Sequence, residues 1–153
     1  MKKAPLLIAV LAFLLITVGP AISASPVILG EISGVELCPE FACDAAIFTG
    51  NCDCIVNNRR TIGFFWVSVK HDPLPASQES AEIVGGKWNL TTLRGRFSGR
   101  VSEGTIVNNG DNTFTVTATL GLQKGGKGDL KVTGVLDHTE FPPTFDGELV
   151  QPE

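Results

Sequence analysis

The residues best equipped for chemistry in this chain are its two histidines, each beside a carboxylate. His71-Asp72 closes an aromatic run, and Asp137-His138, with Glu140 two positions further on, closes an apolar-rich one. Imidazole and carboxylate both ligate metals. If the two strand ends met at one rim, His71, Asp72, Asp137, His138 and Glu140 would offer a metal site with positions left open for water. Successive residues on a strand face opposite ways, so at most one member of each pair can face such a site unless the backbone has already turned into loop. The plainer expectation is polar side chains at strand ends, bonded to nearby backbone.

Thiols form the second group. Cys38, Cys43, Cys52 and Cys54 all fall within CPEFACDAAIFTGNCDC. Four thiolates can close a tetrahedral zinc cage, but in a chain that leaves the cytosol they are expected to oxidise to two disulfides. A bond between Cys52 and Cys54 would need an awkwardly small ring. That leaves 38–52 with 43–54, or 38–54 with 43–52, which spacing does not separate. Either pairing staples the segment 38–54, where the strand signal is weakest. Other constellations fall short: no serine sits in G-x-S-x-G, and GGKGD lacks the spacing and terminal hydroxyl of a phosphate loop. No cofactor is implied, and the reading leans away from catalysis.

Aromatic residues offer a binding route instead. Phe64, Phe65 and Trp66 are consecutive, so their rings must divide between two faces. Phe64, Trp66 and Trp88 are candidate ligand contacts: inward rings would line a lumen for an apolar molecule, and outward ones would stack on a sugar or seat a partner.

These groups must be positioned by strands. In NTFTVTATLGLQ, Phe114, Val116, Ala118, Leu120 and Leu122 alternate with Thr113, Thr115, Thr117 and Thr119, the pattern of a half-buried β-strand. Asn109-Gly110 before it and Lys124 to Gly128 after it predict tight turns, and so a three-strand meander. TIGFFWVSV is apolar on both faces, as in a central strand or a closed barrel. Upstream, Val27-Ile28-Leu29 with Ile32, Val35 and Leu37 suggest a first strand interrupted at Gly30 or Gly34, and Ala45 to Thr49 a short second one turning at Gly50-Asn51. Glycines spaced within strands favour a small antiparallel barrel of about seven or eight strands over a two-sheet sandwich. The Gly95-x-Phe97-x-Gly99 spacing and the Gly125-Gly126-x-Gly128 turn resemble those of small secreted plant barrels of the dirigent type; the resemblance covers only these glycines and assigns no functional residue.

Lys2 and Lys3, the apolar run from Ala4 to Val18, and small residues around Ser23-Ala24 read as a signal peptide over 1–24, of bacterial style, followed by a single all-β domain over 25–153. Removing the leader takes away two lysines and shifts the formal charge from −4 to −6. Such a balance disfavours nucleic acid and anionic membranes as partners. No second apolar run is long enough for an integral span once the leader is cleaved. The sequence therefore points to a secreted or periplasmic, non-catalytic β-domain that binds a small molecule, glycan or protein, or serves a structural role. The alternatives are a metal-dependent protein using the His/Asp cluster and a carrier of an apolar ligand in a barrel lumen.

Overall fold

The structure, a computed structural model, describes residues 25–38, 45–74 and 78–152. Eight strands follow one another as β1 (Ile28–Cys38), β2 (Ala46–Val56), β3 (Arg59–His71), β4 (Ser80–Thr92), β5 (Gly95–Asn108), β6 (Thr113–Lys124), β7 (Asp129–Asp137) and β8 (Thr144–Val150). Each pairs antiparallel with the next, and β8 pairs back onto β1, closing the barrel. All-β architecture and closure agree with the sequence expectation. The expected leader, residues 1–24, lies outside the described residues.

Local chemistry explains the turns. Asn57 and Asn58 both adopt positive φ, at 50° and 62°, the conformation a two-residue hairpin demands and asparagine tolerates. Gly110 and Asn112 supply positive φ between β5 and β6, and Asn108 and Asp111 side chains accept hydrogen bonds from the backbone N–H groups of Gly110 and Thr113. The turn expected at Gly50-Asn51 is not there: both residues lie mid-strand in β2, opposite Gly34 and Ser33 of β1. The real turn comes at Asn57-Asn58, so β2 runs straight through the Cys-Asp-Cys segment.

Alternation sets the inside. On β6, Val116, Ala118, Leu120 and Leu122 are buried as expected. On β3 the inward set is Phe65, Val67 and Val69, while Ile62 and Phe64 lie exposed on the outside. β1 runs unbroken through Gly30 and Gly34, the expected points of interruption; on it Ile28, Ile32 and Glu36 point inward, and Leu37 is exposed. Inward glycines let strands close up where a side chain would not fit. Gly134 and Gly147 face each other across β7 and β8, and a Cβ on Gly134 would stand 2.8 Å from the Gly147 Cα and 2.5 Å from the Asp146 carbonyl oxygen.

The cysteine pairing also differs from expectation. Cys52 is bonded to Cys54, with Cα atoms 5.4 Å apart, so neither crossed pairing holds. Residues two apart on a strand share a face, and both sulfurs turn into the core, where the two cysteines are fully buried. The 5.4 Å separation lies within the ordinary range for a bridged pair. Cys43 and the Cys38 side chain lie outside what the structure describes.

Two outcomes are expected from this packing. Gly134→Ala should destabilise the barrel by roughly 1–3 kcal/mol, the usual cost of overpacking, as a lower urea midpoint at unchanged slope. Digestion before Asp44 and Asp53 without reduction should release the Cys52 and Cys54 fragments joined to each other. Recovery of either joined to a fragment carrying Cys38 or Cys43 would contradict the structure.

Candidate functional site

The lumen is filled. Its residual cavity is about 50 Å³, walled by Phe48, Phe65, Trp88, Leu90, Leu120 and Phe145 among others. Pockets for drug-sized ligands run to roughly 300–1,000 Å³, so this space holds a few waters at most. Of the three candidate aromatic contacts only Trp88 is inside. Its indole Nε1 donates to the Gly121 carbonyl at 3.1 Å, which satisfies the one polar atom of a ring that otherwise serves as core. Phe64 and Trp66 occupy the outward positions of β3. The geometry thus removes the volume that a lumenal carrier requires.

The histidines do share a rim. Odd-numbered strands all run the same way, so His71, at the end of β3, and His138, just past β7, sit at one mouth of the barrel. They do not converge, because β3 and β7 are four strands apart in either direction round the closed sheet and so stand on opposite walls. His71 Nδ1 lies 2.7 Å from the Asp72 carbonyl oxygen, and Asp72 and Glu140 are exposed in loops. Asp137 accepts from the Thr139 N–H at 2.7 Å, and the Thr139 hydroxyl and N–H together hold its carboxyl below the ordinary aspartate value. No group of three or more His, Cys, Asp or Glu among the described residues is arranged to hold a metal ion.

His138 meets a residue the sequence reading missed. Its Nε2 stands 3.0 Å from the Glu36 carboxylate, which is 3% exposed, and its ring lies 5.0 Å from that of Phe114. The Glu36 N–H donates to Pro143 O and the His138 N–H to Asn112 O, both at 2.9 Å, so the pair belongs to a clip fastening the β7–β8 loop over the mouth. The missed signal was the period-two series Ile28, Gly30, Ile32, Gly34, Glu36, which turns Glu36 inward once Ile28 and Ile32 set the phase.

A different feature has the dimensions of a site. On the outer face an open groove of about 1,010 Å³ crosses the sheet from Thr133 on β7 to Thr91 on β4. Cross-strand register builds it in rows: Glu148, Glu31, Asp53 and Ile62 stand side by side on β8, β1, β2 and β3, with Asp146, Ser33, Asn51, Phe64 and Thr91 in the next row. Its apolar end is bare: Ile62 is 70% exposed, Phe64 54% and Leu93 87%. At its acidic end Asp53 receives two hydrogen bonds from Arg60, Nε to Oδ1 at 2.9 Å and Nη2 to Oδ2 at 2.5 Å. This fork holds the Asp53 carboxyl below its ordinary value and raises the guanidinium.

Replacing His138 with alanine is expected to cost about 1–3 kcal/mol, because the buried Glu36 carboxylate loses the imidazole nitrogen that stands 3.0 Å from it. The double variant Glu36→Gln/His138→Ala should recover part of that loss, as read by urea unfolding at neutral pH. Comparison of the chain with protein-family models, with curated proteins and with solved structures finds no match in any of the three.

Proposed function

We propose that this is an exported, non-catalytic binding module that engages its partner on the outside of the barrel rather than in the lumen. The observation that carries the reading is the contrast between a filled interior and a large open groove with bare apolar residues at one end. Solvent-exposed Ile62, Phe64 and Leu93 gathered around one concavity mark a contact surface more than scattered surface residues would. Export is supported by the leader-like residues 1–24 and by the Cys52–Cys54 disulfide, a bond that persists in oxidising compartments.

The outer wall also suits an aqueous surface. Its middle carries Glu31, Asp53, Lys87, Arg100, Lys131 and Glu148, all exposed, around an apolar lumen. A membrane-spanning barrel has the reverse distribution, an apolar band outside and a polar interior.

The metal-dependent alternative is weaker on this geometry, since His71 and His138 occupy opposite walls and His138 already faces Glu36. Protein isolated from its native compartment is expected to carry no stoichiometric metal.

A photoreactive benzoylphenylalanine in place of Phe64 tests the outer-face reading in the native host. It should give a discrete cross-linked product, whereas the same group in place of Thr117, on the far side of the barrel, should give none. Equal labelling, or none, at both positions would end the proposal.

A further inference from the structure

We infer that the outer groove takes an extended, cationic polypeptide segment that carries a bulky apolar residue. This rests on the outer-face reading above and adds the partner's chemistry to it.

The mode of contact comes first. Closure of β8 onto β1 leaves the sheet without a free edge, so no partner can add a strand through main-chain hydrogen bonds. Recognition must pass through the outward side chains, and their character in the groove is unusual. Glu31 stands directly opposite Glu148 on one side and Asp53 on the other, and Asp146 occupies the neighbouring position on β8. Like charges placed opposite one another across strands are destabilising. Among the described residues Arg60 is the cation paired with these four carboxylates, forked on Asp53 and more weakly attracted by Glu31, so one guanidinium is set against four acids. The barrel carries this repulsion on the floor of the outer groove, next to Ile62, Phe64 and Leu93.

A cationic partner would relieve that repulsion. A neutral glycan would leave the carboxylates unpaired, and an anionic surface would be repelled. The dimensions suit an extended chain. Neighbouring strands are about 4.8 Å apart, so the acidic row on β8, β1 and β2 spans about 10 Å and the apolar residues on β3 begin one strand further on. An extended segment places alternate side chains on one side about 6.7 Å apart. Two basic residues at alternate positions, with a large apolar residue two positions later, therefore match the order of chemistry across the groove.

The competing occupant is a second copy of this chain. Lys87 and Arg100 form an exposed basic pair directly opposite each other on β4 and β5, and could approach the acidic row of a neighbouring barrel.

The test is a titration of ¹⁵N-labelled protein with the peptide Gly-Lys-Gly-Lys-Gly-Phe-Gly. Parallel titrations use one peptide with both lysines changed to glutamate and another with the phenylalanine changed to alanine. The first peptide should shift amides of β8, β1, β2 and β3 around the groove, and its affinity should fall at least about tenfold at roughly 0.5 M salt, where charges are screened within a few ångströms. Glu31→Gln/Glu148→Gln should lower affinity by about tenfold or more while leaving the barrel as stable as before or more so. Glu103→Gln, on β5 and outside the groove, should change nothing. The phenylalanine-free peptide should bind more weakly.

If the glutamate peptide binds equally well, or the double variant binds as the parent does, the inferred charge selectivity is wrong while the outer-face reading stands. Concentration-dependent shifts at the groove without peptide would assign it to a second copy and overturn the inference. No shift with any peptide would overturn it too, and the cross-link from position 64 would then decide separately whether the groove is a contact surface at all.

Discussion

Closure of eight strands on themselves is the constraint from which the rest of this molecule follows. Every strand must present one face to a narrow interior, and the inward side chains must fill it without leaving voids or forcing the sheet apart. Large inward residues such as Phe65, Trp88 and Phe145 do most of the filling. Glycines such as Gly134 and Gly147 sit where backbones come too close for any side chain. The result is an interior with about 50 Å³ to spare. A barrel packed to that degree leaves its outer wall and its rims as the surfaces on which a ligand would be met.

The same closure determines how the outer wall is organised. Continuous antiparallel register aligns residues of different strands into rows that run round the barrel, so positions far apart in sequence become immediate neighbours. Glu31 and Glu148 are separated by most of the chain and yet stand opposite each other. Burial cannot explain such a row, because all its members are exposed, and among the described residues the one cation paired with it is Arg60, forked on Asp53 and attracted by Glu31. Hydrophobic burial fixes which side of each strand faces out and leaves the identity of the outward residues open. A run of like charges on that side therefore reports on something other than folding.

How much of this was legible in the sequence depended on the strand. On β6 the five-fold alternation of threonine with apolar residues set the inward face correctly, and the Asn109-Gly110 and Lys124 to Gly128 turns fixed its neighbours. On β1 and β2 the inward positions include Gly30, Gly34, Glu36, Gly50, Cys52 and Cys54, none of them a large hydrophobe. The period-two signal is faint there, so Gly30 or Gly34 reads as an interruption of the first strand and Gly50-Asn51 as a turn. The cysteine pairing failed for the same reason: once β2 is recognised as continuous through Cys-Asp-Cys, Cys52 and Cys54 share its inner face and are natural partners. The aromatic strand reads as a central or a barrel strand, but composition does not say which phase faces in, so Phe64 and Trp66 stood as candidates for the lumen and for the outer face alike. The acidic groove was invisible, since it exists only after β8 is laid beside β1.

The rim and the groove show two fates for polar groups in such a scaffold. At the rim, His138 is turned toward a carboxylate outside the expected cluster: Glu36 is buried against it, and the contact fastens a loop over the mouth. Asp111 and Asp137 behave similarly, each holding nearby threonine donors, so that their carboxyls are shifted down in the folded state. A depressed folded value makes their contribution complete above the ordinary aspartate value and lost as pH falls through the folded one, which is how a structural carboxylate acts. Asp111 is exposed and Asp137 half-exposed, so that contribution is small. The carboxylates of the groove differ in kind: Glu31 and Glu148 are set against like charge, solvated and accessible. Groups whose bonding is completed within the fold have little left to offer a ligand. Those whose repulsion the fold leaves standing have the most to gain from one, and that difference supports the contact surface proposed on the outer wall.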